Sequence, residues 1–212
     1  MTAPVTVVDF GAGNMFSVQR AFAHLGVEVL LADSPAQIES AARLVLPGVG
    51  AFTGCMNELK ARKLDAPMRA YAASGRPLLG ICVGMQMLFD SSDEFGASPG
   101  LGLIAGAVRA IPVKGPTGEH KVPHVGWSGL YPAGEQWTDG LLSGIEPGDQ
   151  VYFVHSFTAY PVNEGVRLAD SDYDGCRISA AVRAGNILGC QFHPEKSGET
   201  GLRILSNFAS LL

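Results

Sequence analysis

The sequence predicts an α/β protein, a mostly parallel central sheet with helices on both faces plus an added antiparallel portion. Three observations carry this. In the first ninety residues, apolar runs such as Leu44-Val45-Leu46 and Pro77-Leu78-Leu79-Gly80-Ile81 lack polar alternation and are separated by helix-like stretches. That is the pattern of strands covered on both faces. After Asp90 the runs become short and turn residues divide them, as in antiparallel pairs. Helix-start and helix-stop residues fall where this arrangement needs them.

The elements follow in order. Val5-Thr6-Val7-Val8-Asp9 is a strand that ends in Gly11-Ala12-Gly13. Asn14 is a good N-cap for a helix through Leu25, with Ala21, Phe22 and Leu25 on one face, and Gly26 stops it. Val27–Leu31 reads as a second strand. Ser34-Pro35-Ala36-Gln37 has capping-box form with proline at the first helical position. The third strand, Leu44–Leu46, is closed by Pro47-Gly48-Val49-Gly50; one or two helices fill Phe52–Ser74, and Pro77–Ile81 is the fourth strand. Later strands are expected at Val108–Ile111, Val122–Val125, Gln150–Val154, Arg167–Ala169, Ile178–Val182 and Ile187–Phe192. Ala184-Gly185-Asn186 is a hairpin turn between the last two. Gly198–Leu212 is a closing helix with Leu202, Leu205, Phe208 and Ala209 on one face.

Composition sets the class. The 212 residues are 47% apolar, and a chain of that length buries about 70% of its unfolded surface without disulfides or metal. No repeat or long Pro/Gly/Ser linker divides it, so a single domain over 1–212 is expected. Fifteen Lys and Arg against twenty Asp and Glu leave a net charge of −5, the wrong balance for a nucleic-acid binder. The longest charge-free stretches, such as Pro77–Phe89, fall short of the ~18 residues of a membrane span. Met1–Pro4 leads directly into a strand, which leaves no room for a signal peptide. Cys55, Cys82, Cys176 and Cys190 show neither CxxC nor metal-ligand spacing. These features point to a soluble cytoplasmic protein with reduced thiols, no metal and no cofactor.

Four loops follow strand ends, where open α/β sheets place ligands: Gly11–Asn14, Pro47–Gly50, Cys82–Gly84 and His193–Glu195. Gly80-Ile81-Cys82-Val83-Gly84, between an apolar strand and a helix-like Met85-Gln86-Met87-Leu88, has the nucleophile-elbow layout with cysteine in place of serine. A sharp turn lifts one side chain above the sheet, flanking glycines remove clashing Cβ atoms, and helix amides facing the sulfur favour the thiolate. A buried structural cysteine between chance glycines is the bland alternative. A base is needed, and His24, His120, His124, His155 and His193 compete for the role. His24 sits near a helix C-terminus, where a surface role facing the dipole suffices. His193 follows a strand, and Pro194 extends the chain so that Glu195, two residues on, lies on the same side and orients the ring. The reading is a Cys82–His193–Glu195 triad. An oxyanion hole needs two N–H groups; Val83 is placed to supply one, and the Pro47–Gly50 loop the other, through Gly48 or Val49. Two glycines let that loop's peptide planes rotate cheaply.

These residues carry a resemblance. Leu46–Phe52, Gly80–Gln86 and Gln191–Ser197 resemble the corresponding segments of the class I, triad-type glutamine amidotransferases. Asp9–Asn14 with Ser17, Lys121–Trp127 and Tyr152–Ser156 are similar to the branch that serves as glutaminase of imidazole glycerol phosphate synthase in histidine biosynthesis. The likeness runs from the first strand to the last helix. Departures are Val83 and Val125, where bulkier residues are usual, and Ser128, where asparagine is common.

The resemblance implies that Cys82 attacks the carboxamide of glutamine, that His193 protonates the departing ammonia, and that water cleaves the glutamyl thioester. It implies a heterodimer with the cyclase subunit, a (β/α)8 barrel that uses the ammonia to make imidazole glycerol phosphate and aminoimidazole carboxamide ribotide. Matched by position, Gly50, Gln86 and the His155-Ser156-Phe157 backbone hold glutamine, with Glu94 as an amine contact. Trp127, in a chain with few aromatics, is a typical interface anchor. With His124 beside it, and with Asn14 and Lys196 on loops at the elbow end, it marks the docking face. Two other readings compete. One is the glutaminase of another ammonia-transferring enzyme, such as pyridoxal phosphate synthase. The other is a non-catalytic redox sensor, which would need a reactive thiol but no oriented base.

Overall fold

The computed structural model describes residues 3–115, 118–119, 121–134, 137 and 140–211; His120 lies outside them. The first half gives β1 (Val5–Val8), α1 (Met15–His24), β2 (Val29–Ala32), α2 (Pro35–Ser40), β3 (Arg43–Leu46), α3 (Phe52–Ala61), α4 (Asp65–Ala73), β4 (Leu78–Ile81) and α5 (Val83–Met87). The second half is strand-rich: β5 (Phe89–Ser92), β6 (Ser98–Pro99), β7 (Ile104–Ala110), β8 (Lys114–Gly115), β9 (Gly118–Glu119), β10 (His124–Gly129) and β11 (Tyr131–Pro132). It continues through β12 (Gln150–His155), β13 (Phe157–Pro161), β14 (Arg167–Tyr173), β15 (Cys176–Ala184) and β16 (Ile187–Cys190), and closes with α6 (Gly198–Ser210).

The main sheet has eight strands in the order β11-β14-β15-β16-β4-β3-β1-β2. From β2 to β16 the pairs are parallel, and from β16 outward they are antiparallel. The expected hybrid is therefore one continuous sheet. Its parallel part has the doubly wound order whose ligand crevice lies beyond the carboxyl ends of the strands. β16, β4, β3 and β1 are neighbours, so the loops that follow them stand side by side. α1 packs with α6, and α2 with α4; right-handed crossovers put these pairs on opposite faces.

Local chemistry explains the boundaries. The Asn14 side chain accepts from the Ser17 N–H and caps α1, and Gly26 ends it at φ 70°. Gln37 Oε1 accepts from the Ser34 N–H and hydroxyl at the start of α2. β1, β3, β4 and β16 are buried throughout. β2 differs: it starts two residues later than its apolar run suggests, and Leu30 and Leu31 are exposed because it is the sheet edge. Gly185 and Asn186 form the expected tight turn between β15 and β16. A second sheet, β13-β7-β5-β6, and the ribbon β10–β12 wall the crevice.

Candidate active site

β4 runs into α5 through Cys82, whose φ of 55° and ψ of −113° lie where side-chain-bearing residues rarely sit. Such strain costs about 1–3 kcal/mol and persists only where the surroundings enforce it. Glycines enforce it here. A Cβ on Gly80 would come within 2.7 Å of Met85 N and Gly84 O, and one on Gly84 would collide with the Leu46 carbonyl. The expected elbow is present. Gly48 belongs to the same close packing, since a Cβ there would stand 2.6 Å from Gly84 N. Gly48 is thus not a free hinge, as the loop's glycines suggest in sequence; Gly50, at φ 93°, is the one that uses glycine's conformational freedom.

His193 follows β16, and its Nδ1 donates to Glu195 Oε1 at 2.8 Å. The link differs from the extended turn expected: residues Pro194–Lys196 form a single 3-10 turn, which brings Glu195 back under the ring. With Nδ1 committed, the other ring nitrogen is left for Cys82, which interacts with the ring. Burial works to lower the pKa of His193, but the hydrogen bonds and charges of Cys82 and Glu195 override it and push it up to about 9. Glu195 Oε2 is buried without a hydrogen-bond partner, which leaves the imidazolium as the main compensation for its charge. At neutral pH the ring therefore carries its proton.

Cys82 opens into a cavity of about 590 Å³, within the range of small-molecule sites. Asn14, Val49, Gly50, Val83, Gln86, Glu94, His155, Ser156, Phe157, His193 and Lys196 also line it, so the structure gathers nearly every residue the sequence singled out. Three details set which polar groups remain open to a ligand. The Phe157 carbonyl already accepts from Gln86 Nε2 at 3.0 Å and from His155 Nδ1 at 2.8 Å, which fills both lone pairs. The Ser156 carbonyl accepts from Ile111 N–H, which leaves it one lone pair. One oxygen of Glu94 accepts from the Phe52 N–H at 2.7 Å, capping α3, which leaves the other oxygen for a ligand.

The docking-face reading needs one correction. His124 is 1% exposed, stacked between Phe153 and Tyr173, and cannot meet a partner. The alternation of β10 explains this: Val125 and Trp127, each 54% exposed, point outward, while His124 and Ser128 point in. Trp127 and Tyr152 pack edge to face on the outer side of the ribbon.

On the inner side a chain of hydrogen bonds fixes every tautomer. His155 Nδ1 must donate to the Phe157 carbonyl, so its Nε2 accepts from His124 Nδ1 at 3.0 Å. His124 Nε2 in turn accepts from the Ser128 hydroxyl at 3.0 Å. Ser128, where asparagine is common, still provides a donor. Burial lowers the pKa of His124 to about 4 and that of His155 to about 3, so both rings are neutral.

On unfolding both return toward 6.5 and take up protons. The unfolded state then binds more protons below pH 6.5, and this contribution to stability is lost as pH falls toward 4 and 3. His193 acts oppositely: its contribution is complete below pH 6.5 and fades as pH rises through about 9. Thermal melts at pH 5 and pH 7.5 test the pair. His155→Gln removes a titrating ring, so it narrows the acid destabilisation; an unchanged gap between the two pH values would contradict the neutral-pair reading.

Two further groups support the site without announcing themselves in the sequence. Cys55, buried on α3, donates its S–H to the Val49 carbonyl at 3.4 Å and ties down the loop after β3. Burial pushes its pKa up to about 11, consistent with an inert thiol. The Ser197 hydroxyl donates to the His193 carbonyl at 2.6 Å and accepts from Tyr152 N–H at 2.9 Å, clamping the histidine turn to β12. α6 can approach this turn because residue 201 is glycine; a Cβ there would collide with the Pro194 carbonyl.

An elbow thiol, an oriented histidine and a carboxylate at the strand ends of a doubly wound sheet describe a cysteine-dependent acyl-transfer centre. The family model for glutamine amidotransferase class-I matches residues 6–211, and the chain belongs to that family. Imidazole glycerol phosphate synthase subunit HisH 1 of Legionella pneumophila (strain Lens) is 50% identical over 210 residues, 98% of this chain and 99% of that protein. The HisH subunit of Geobacillus kaustophilus is 44% identical over 208 residues, 98% and 96% of the two chains. These identities place the chain in the HisH branch of the family. Among solved structures, PurLQS from Thermotoga maritima shares the fold, with a TM-score of 0.73 at 20% identity over 98% of each chain. No helix among the described residues is long and apolar enough to cross a membrane.

Proposed function

We propose that this chain is the glutaminase subunit of an imidazole glycerol phosphate synthase, acting in the cytoplasm as a single domain. Cys82 attacks the carboxamide carbon of glutamine, and the oxyanion is met by Val83 N–H and an N–H of Gly48 or Val49. His193 gives its proton to the departing ammonia, and water, deprotonated by the same ring, cleaves the thioester to glutamate. The carrying observation is the strained Cys82 beside the His193–Glu195 pair, in a chain half identical to HisH subunits. Gln86, Glu94 and the Ser156 side chain are the polar groups offered to glutamine. The ribbon face with Val125 and Trp127, flanked by Asn14 and Lys196, is the docking surface for the cyclase subunit, which receives the ammonia. The oriented base favours this reading over a redox sensor.

The subunit alone is expected to be a poor glutaminase. A missing oxyanion donor costs ~10²–10³-fold in rate, and a docked partner that shifts the Pro47–Gly50 loop restores it, up to its differential affinity for the two states. Glutamate release is to be measured for the chain alone, for the complex, and for the complex with the ribotide acceptor. A rise of at least that order across the series is expected. Equal rates in all three would mean a preformed hole and no gating. No glutamate release under any condition would overturn the functional assignment itself.

A further inference from the structure

One buried polar side chain next to the sulfur has no role in the mechanism above. Gln191 is fully buried at the end of β16, two residues before His193, and its Nε2 lies 3.9 Å from Cys82 Sγ. Which end of that carboxamide faces the sulfur follows from a single backbone group. The Phe157 carbonyl can only accept, so the atom of Gln86 at 3.0 Å from it is the nitrogen. The same Nε2 is 3.0 Å from Gln191, which must therefore present its oxygen there. Gln191 is left with its N–H groups directed toward Cys82. Reversing either amide would set two acceptors or two donors against each other in a buried network, which is costly.

We infer that Gln191 is a further residue of the glutaminase centre, a thiolate-stabilising group whose N–H, oriented through Gln86 by the Phe157 carbonyl, holds the sulfur of Cys82 in its charged form. It acts from the side of the sulfur remote from the ligand, since it does not line the cavity. The other titratable groups around the sulfur are His193 with Glu195, Cys55 with Glu94, Cys190 on the neighbouring strand, and His155 and Lys196 in the same cavity; none of them supplies this contact. The bond is long, so its effect belongs at the low end of hydrogen bonds to charged groups, about tenfold. The inference rests on Cys82 being the nucleophile.

The test is alkylation of Cys82 by iodoacetamide in the full chain, read on the Cys82 peptide by mass spectrometry from pH 6 to pH 10, together with glutaminase kinetics of the complex. Gln191→Met keeps the volume and removes the donor. Gln191→Glu keeps an acceptor for Gln86 and turns an oxygen to the sulfur, and it carries the test if the methionine variant does not fold. Alkylation at pH 7 is expected to fall about tenfold and to recover wild-type rates at pH 10, where the thiolate forms without help. kcat falls in parallel while KM for glutamine stays near wild type. A merely structural role would not give recovery at high pH. Superimposable pH profiles in a folded variant would overturn the inference. If the wild-type complex released no glutamate, the proposed function would fail instead, whatever Gln191 does.

Discussion

Replacing Cys82 with alanine abolishes glutamine-dependent synthesis by the complex, while the same complex supplied with ammonium salts still makes product. The expectation is that extreme because no other thiol can substitute. Cys55 and Cys190 are buried with raised pKa values, the first tied to Val49 and the second inside the sheet. Cys176 lies on β15, which β16 separates from β4 and the elbow. Alanine has a Cβ like cysteine, so the variant meets the same backbone strain at φ 55° and the fold is retained. The measurement is product formation with either nitrogen source. Glutaminase turnover in Cys82→Ala, or alkylation that tracks inactivation at another cysteine, would refute the assignment.

The second large effect belongs to His193. Loss of a general acid–base group costs ~10²–10⁴-fold, and His193→Asn is expected within that range, well below His155→Ala. The reason is visible in the partners: both ring nitrogens of His155 are spent on Phe157 and His124, whereas His193 turns one nitrogen to Glu195 and keeps the other for the sulfur. Glu195→Gln should lose an intermediate amount, because an amide still orients the ring but no longer favours its charged form. In the wild type, kcat/KM for glutamine should decline as pH rises through about 9, where the ring loses the proton destined for ammonia. A reversed ranking of the histidine variants would exclude His193 as the base.

Much of this site is legible in the sequence because its parts are backbone-driven. Glycines at 80 and 84 are demanded by the close packing around the elbow, and prolines at 47 and 194 fall just after strand ends. The parallel strands are legible for the same kind of reason: uninterrupted burial leaves an uninterrupted apolar run. What is harder to read depends on which side of a strand faces inward. His124 and Trp127 are three residues apart on a ribbon whose outer face is apolar and whose inner face holds two neutral imidazoles, the reverse of the usual pattern. Phe157–Pro161 and Phe89–Ser92 pair with Ile104–Ala110 in a sheet assembled from distant segments, and no local signal announces such partners. Gln191 did leave a trace, a polar residue inside an otherwise apolar strand run, but its meaning depends on Phe157, which lies far away in sequence.

Around the elbow the site is bounded by main chain. Gly48, Gly80 and Gly84 meet there with no room for a methyl group between them. A boundary of that kind cannot be reshaped one side chain at a time, because any substitution at those positions displaces the nucleophile together with the obstacle. The rest of the lining is different in kind: Val154, Ser156 and Lys196 carry side chains and border the same cavity. Variation among descendants of this chain, natural or made in the laboratory, is therefore channelled. The chemistry stays fixed while the entrance and the docking rim remain free to drift toward new partners.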